Sequence, residues 1–351
     1  MNEKEIEDRI SKLRSDLKTE RLDMSFGEIM SLYESKDLFI SPEYQRAYRW
    51  DDFQKTRFIE SILLGIPVPP IFVAENEESK WELVDGLQRI STVLSFFGLL
   101  DGKEKLVLTE GELIGKPLEG ISINELPIKF KLTIKRSVCR VEILKWDSSF
   151  DMRYELFNRL NTGGSPLKAQ EIRNCVFIGD FNNLLKEIAS NQFFRKIIED
   201  IDEKQKKYID EMYFEELILR YFSIIFGDLN IDKNIPEYLS RFMQKVTKNE
   251  INISINDEKN KLLRIIEFLN KNSDKKIFRG ENNRFSENYY EMVMYLLYKY
   301  FDKFVIDPIN SIKKIENIKQ DEEYKKASGF QTHQKSRLKR KFDRAEEIFN
   351  D

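Results

Sequence analysis

The chain has 351 residues, 58 Lys and Arg against 61 Asp and Glu for a net charge of −3, and 41% hydrophobic residues. That length exceeds the usual single domain, so two domains are expected, and the near-neutral balance does not by itself mark a nucleic-acid binder. His333 is the sole histidine, which excludes histidine-metal nucleases, zinc hydrolases of the HExxH kind and serine or cysteine triads unless it folds back into a site.

Cys139 and Cys175 make no metal-ligand spacing and fit a reducing compartment. The charged start, Met1 to Asp8, is unlike a signal peptide. No apolar run approaches the roughly 20 residues of a membrane span. A cytoplasmic location without a membrane partner is expected.

Ile6, Ile10, Leu13 and Leu17 recur at helical spacing, predicting an amphipathic helix within residues 1–24. Ser25 with Glu28 reads as a capping box, and Asp51 with Gln54 as a second one, closed by Gly65. Between them Leu38-Phe39-Ile40 reads as a strand. Pro67-Val68-Pro69-Pro70 is a stiff connector into the strand Ile71 to Ala74, and Lys80 to Val84 is the return strand. After Asp85-Gly86 the apolar positions Ile90, Val93, Leu94 and Phe97 predict a helix. Residues 101–148 read as strand-rich, notably Leu132 to Ile134 and Val138 to Ile143. Asp151 to Leu160 reads as a helix, broken at Asn161 to Pro166, and Lys168 to Val176 starts another. Residues 25–178 therefore read as one mixed α/β domain.

From about residue 180 the pattern becomes helical. Phe214, Leu217, Ile218 and Tyr221 repeat at helix spacing, as do Leu262, Ile265, Ile266 and Leu269, and Tyr289, Met292, Tyr295 and Leu296. Residues 179–351 are predicted to form an all-α domain ending in a basic tail, Lys335 to Arg344.

Three segments have the residue types for chemistry. In Asp85-Gly86-Leu87-Gln88-Arg89 the glycine permits a tight turn and the N–H groups at a helix start favour an anion. Arg89 can fork onto phosphate oxygens, and Asp85 can hold Mg²⁺ together with substrate phosphates. The same residues also make an ordinary strand–turn–helix corner with an Asp85–Arg89 ion pair. Pro42 to Trp50 packs Tyr44, Gln45, Arg46, Tyr48, Arg49 and Trp50 into one loop, suited either to stacking and clamping a nucleotide or to anchoring the loop on a core. Phe157 to Gly164, with Arg159, Asn161, Thr162 and Gly163, leads to Glu171 and Arg173. Read alone, it is a helix–loop–helix corner whose glycines expose backbone N–H groups.

In order and spacing, the three segments together resemble the N-terminal domain of GmrSD-type restriction proteins, a family similar to ParB and sulfiredoxin in fold. The likeness rests on Gln45-Arg46-Ala47-Tyr48-Arg49-Trp50, on Asp85-Gly86-Leu87-Gln88-Arg89 with Thr92, and on Arg159-Leu160-Asn161-Thr162-Gly163 leading to Glu171-Ile172-Arg173. It implies an α+β architecture, a ParB/sulfiredoxin-like domain followed by a helical one. It also implies a module that binds and hydrolyses a nucleoside triphosphate with Mg²⁺ in defence against phage or foreign DNA. Asp85, Gln88, Arg89 and Glu171 would be catalytic, with Asp85 and Glu171 holding the metal. Tyr44, Gln45, Arg46, Tyr48, Trp50, Gly86, Thr92, Arg159, Asn161, Gly163 and Arg173 would contact the nucleotide. Leu87 replaces the first Gln of the family's second box. The family's frequent nuclease partner domain, rich in His and Asn, is not expected in a chain with one histidine. A partner effector, DNA and a second copy of the chain are the expected macromolecular contacts. Two alternatives remain: a sensor that does not hydrolyse the nucleotide, and a DNA-binding regulator using the loop at 42–50 and the basic tail.

Overall fold

A computed structural model describes residues 3–40, 50–76, 78–149, 152, 154–156, 159, 168–198, 212–229, 234–273, 275–280, 283–328 and 337–351. The chain forms two compact units, Met1–Leu167 and Lys168–Asp351. The division thus falls about ten residues before the boundary expected after residue 178.

In the first unit, helix α1 (Glu3–Ser15) is followed by strand β1 (Thr19–Ser25). The helix expected within residues 1–24 therefore stops at Ser15, and residues from Thr19 on are a strand. The reason is non-local: β1 pairs antiparallel with β5 (Val138–Leu144), setting Arg21 opposite Glu142 and Asp23 opposite Arg140. Both cross-strand pairs close as ion pairs, each at 2.9 Å, which helps to fix the register.

Helix α2 (Phe26–Glu34) opens on the Ser25–Glu28 capping box and α3 (Asp52–Leu63) on the Asp51–Gln54 box, both as predicted. Strands β2 (Leu38–Phe39), β3 (Ile71–Glu75) and β4 (Trp81–Asp85) complete a five-stranded mixed sheet in the order β1-β5-β3-β4-β2. Within it, β3 pairs parallel with β5 and antiparallel with β4, while β2 pairs parallel with β4. Helix α4 (Leu87–Phe97) leaves the end of β4 and is buried along most of its length, from Ile90 to Phe96.

One predicted strand is a helix. Leu132 to Ile134 lies in α5 (Ile128–Arg136), which starts behind Pro127. The run Ile128, Phe130, Leu132, Ile134 alternates like a strand, yet Ile134 alone of the four is buried, while Ile128 and Phe130 are exposed. Packing of α5 against α2 and α3 overrides the alternation. The other expected strand in this region, Val138 to Ile143, forms β5, with Cys139, Val141 and Ile143 buried.

Among its described residues, the regular structure of the second unit is helical, with a short 3-10 turn and one isolated β-bridge. Its helices are α6 (Ala169–Val176), α7 (Asp180–Ser190), α8 (Gln192–Ile198), α9 (Tyr213–Phe226), α10 (Ile235–Thr247), α11 (Ile255–Asn272), α12 (Glu287–Ile306), α13 (Pro308–Gln320), α14 (Glu322–Ser328) and α15 (Arg337–Asn350). The faces predicted from period 3.6 are the ones buried: Leu217, Ile218 and Tyr221 on α9, and Leu262, Ile265, Ile266 and Leu269 on α11. Much of the expected basic tail is the packed helix α15, where Lys341 and Phe342 are buried. No helix among the described residues is long and apolar enough to cross a membrane.

Candidate functional site

The corner between β4 and α4 begins with a fault in the sheet. Phe72 pairs with Asp85 and Val73 with Leu83, so β4 carries one extra residue against β3 at this point. Such a bulge redirects the strand end. Asp85, the last residue of β4, keeps 45% of its side chain exposed. Gly86 then turns the chain at φ 98° and caps α4 with no side-chain hydrogen bond. A Cβ at Gly86 would come to 2.5 Å from Ile71 Cγ2, so both the conformation and the close approach to β3 require glycine.

Arg89 is a tie as much as a display. Its Nη1 donates to the Pro69 carbonyl at 2.6 Å and to the Pro70 carbonyl at 3.0 Å, and its Nη2 donates to Asp85 Oδ2 at 2.8 Å. The guanidinium thus fastens the stiff connector to the first turn of α4 and is 14% exposed. The Asp85–Arg89 ion pair is the one the sequence allowed.

Gln88 brings two of the sequence boxes together. Its Oε1 accepts from the backbone N–H of Trp50 at 3.1 Å, and the Trp50 ring packs edge-on against Phe58 of α3 with centroids 5.7 Å apart. The far end of the loop at 42–50 is thereby held at the start of α4. Thr92 is fully buried and donates to the Gln88 carbonyl at 2.6 Å, within its own helix. Tyr44, Gln45, Arg46, Tyr48, Asn161 and Gly163 lie outside the described residues. Arg159 is exposed and pairs with Glu155 at 2.8 Å.

Glu171 and Arg173 belong to the second unit. Glu171 is buried, and its Oε2 accepts from the Lys168 backbone N–H at 2.6 Å, closing a capping box on α6. Arg173 is wholly buried; its Nε donates to Gln170 Oε1 at 2.8 Å, its Nη1 to the Pro236 carbonyl at 3.1 Å and its Nη2 to Glu216 Oε2 at 2.8 Å.

From Glu216 a line of charge runs through the unit. Arg220 contacts Glu216 at 2.9 Å, Glu287 at 3.2 Å and Glu291 at 3.1 Å, and Lys341 reaches Glu291 at 2.7 Å. Burial would raise the Glu216 carboxyl, but Arg220 and Arg173 outweigh it and hold it below its usual value. Glu291 is held down against burial by Lys341 and Arg220 in the same way. Sequence reasoning missed this network. Its signal was a charge at an apolar period: Arg220 sits three residues after Leu217 in the buried stripe of α9.

A second missed residue organises the first unit. Glu60, 2% exposed on α3, accepts from the backbone N–H groups of Glu112, Leu113 and Ile114 at 3.2, 2.9 and 2.6 Å. Among the described residues, no three His, Cys, Asp or Glu side chains gather as a metal site. Asp85 nevertheless fits as a single protein ligand for Mg²⁺, which takes one or two carboxylates alongside substrate phosphates.

The first unit is thus a mixed α/β domain whose strand–Gly–helix corner ties a proline connector and Trp50 to one helix start. Residues 26–178 match the family model described as GmrSD restriction endonuclease, N-terminal domain, which is consistent with a protein of that family. The match suggests a module of a restriction-like defence system. No curated protein and no solved structure matches it.

Proposed function

We propose that the chain binds a nucleoside triphosphate with Mg²⁺ at the Asp85–Arg89 corner and hydrolyses it, as the nucleotide-handling part of a restriction-like defence system. The observation that carries this reading is the start of α4: a helix N-terminus with no side-chain cap beside the half-exposed carboxylate of Asp85. Helix N-terminal N–H groups and the helix dipole favour phosphate. Asp85 would hold the metal, whose chemistry is to neutralise charge on the phosphates. Gln88 and Arg89 would keep Trp50 and the proline connector in place beside them. A partner effector would carry out any cleavage of foreign DNA.

A second reading has its own support. The Gln88 carbonyl oxygen is engaged by Trp50, and the Arg89 guanidinium by Pro69, Pro70 and Asp85. Groups already engaged in this way suit a pocket that senses a nucleotide without turning it over.

Purified protein with Mg²⁺ and each of the four nucleoside triphosphates separates the two. Phosphate release is expected for hydrolysis, and a raised melting temperature without release for sensing. Asp85→Asn is the variant to use, because Arg89 also holds the fold. If Asp85→Asn leaves both readouts at their wild-type values, or if no nucleotide changes either, the corner is not the site.

A further inference from the structure

Helix α1 (Glu3–Ser15) is thirteen residues long and buries none of them. Along it Ile6, Ile10 and Leu13 are 41, 45 and 39% exposed. A helix of this length is marginal in water by itself, so an exposed apolar seam implies a covering partner. The spacing of the seam is the 4–3 alternation of a coiled-coil core, with Ile6 and Leu13 as d positions and Ile10 as an a position.

The flanking charges decide the partner and its direction. On this register Glu7 and Arg14 are e positions and Arg9 is a g position. A parallel pair of α1 helices would set Arg9 against Arg14 of the other copy, a repulsion repeated on both sides. An antiparallel pair matches e with e, setting Glu7 against Arg14, twice by symmetry. Its core layers then join Ile10 with Leu13 of the other helix. The helix is self-complementary in one orientation.

We propose that α1 is a dimerisation helix that packs antiparallel against α1 of a second copy of this chain. The proposal is independent of the nucleotide reading. Two such short helices make a small interface, so the dimer is weak and concentration-dependent.

Sedimentation equilibrium of the full chain from about 10 µM to about 1 mM tests it. The wild type is expected to dimerise within that range and Ile10→Asp to remain monomeric. Arg14→Glu alone should weaken the dimer about tenfold, because it turns two attractions into repulsions. Glu7→Arg combined with Arg14→Glu should restore it to within about threefold of wild type. A monomeric wild type throughout overturns the proposal, as does a dimer indifferent to Ile10→Asp. Tighter association of Arg14→Glu, the signature of parallel pairing, overturns the antiparallel arrangement.

Discussion

Arg89 donates to the carbonyl of Pro69, twenty residues upstream, at 2.6 Å. With its bonds to Pro70 and Asp85, this makes Arg89 the fastener of the β3 connector. Arg89→Ala is therefore expected to destabilise the protein by about 1.5–3 kcal/mol, the usual worth of hydrogen bonds to a charged group. Urea denaturation checks this in the absence of any nucleotide. Full stability in the variant would make the arginine a ligand-facing group alone.

Gly86→Ala should be worse than its size suggests. The position holds φ 98°, and the new Cβ would meet Ile71 Cγ2 at 2.5 Å. The backbone strain costs about 1–3 kcal/mol, and the overlap adds to it. Gly65→Ala is a matched control, because at φ 72° its Cβ would meet nothing within 4 Å. Thermal melts should rank Gly86→Ala clearly below Gly65→Ala.

Glu216 stands between two buried arginines, with its side chain 20% exposed and that of Arg173 wholly buried. Glu216→Gln removes a carboxylate that pairs with both Arg173 and Arg220. The expected cost is about 3–5 kcal/mol, as for breaking a buried pair from one side. Chemical denaturation of the full chain measures it, and Glu216→Asp should recover part of the loss.

The same network predicts acid sensitivity. Glu216 and Glu291 have carboxyl pKa values below the ordinary 4.5 in the folded protein. Their contribution is fully present above 4.5 and is lost as the pH falls through the lowered folded values. Glu287 has the opposite sign, since burial and the neighbouring Glu291 and Glu216 push it up against the pull of Arg220. Its contribution is present at low pH and fades as the pH rises through the raised value. Melting temperature should therefore drop below about pH 4.5, and Glu216→Gln should flatten that drop. An unaltered acid limb in Glu216→Gln would contradict the assignment.

Glu60→Ala should loosen the segment after α4. Three backbone N–H groups, from Glu112 to Ile114, lose their common acceptor. A loss of at least about 1–3 kcal/mol follows from leaving such groups unsatisfied. Hydrogen exchange at those three amides is the direct readout, with protection expected to fall there first.

What the sequence revealed was local chemistry. The capping boxes at Ser25 and Asp51 and the turn at Gly86 depend on residues three or four apart, and all three are present. Strand β1 was illegible because its partners, Glu142 and Arg140, lie more than a hundred residues away. α5 was misread because its strand-like alternation is real, and only packing against α2 and α3 decides against it. At the corner, five residues were compatible with both a phosphate cradle and an ion pair. The partner that fixes Arg89 is a backbone carbonyl, which no side-chain motif encodes.

The matched segment cannot be excised at its own boundaries. A fragment beginning at Phe26 discards β1 and strips β5 of its antiparallel neighbour. One ending at Ile178 retains Arg173 but loses Glu216 and, beyond it, the relay that reaches Lys341 near the other end of the chain. Homology and foldability thus have different borders in this protein. Domain-swapped chimeras joined at residue 178 should misfold, whereas exchanges that carry α6 together with α9, α12 and α15 keep Arg173, Glu216, Arg220, Glu291 and Lys341 together.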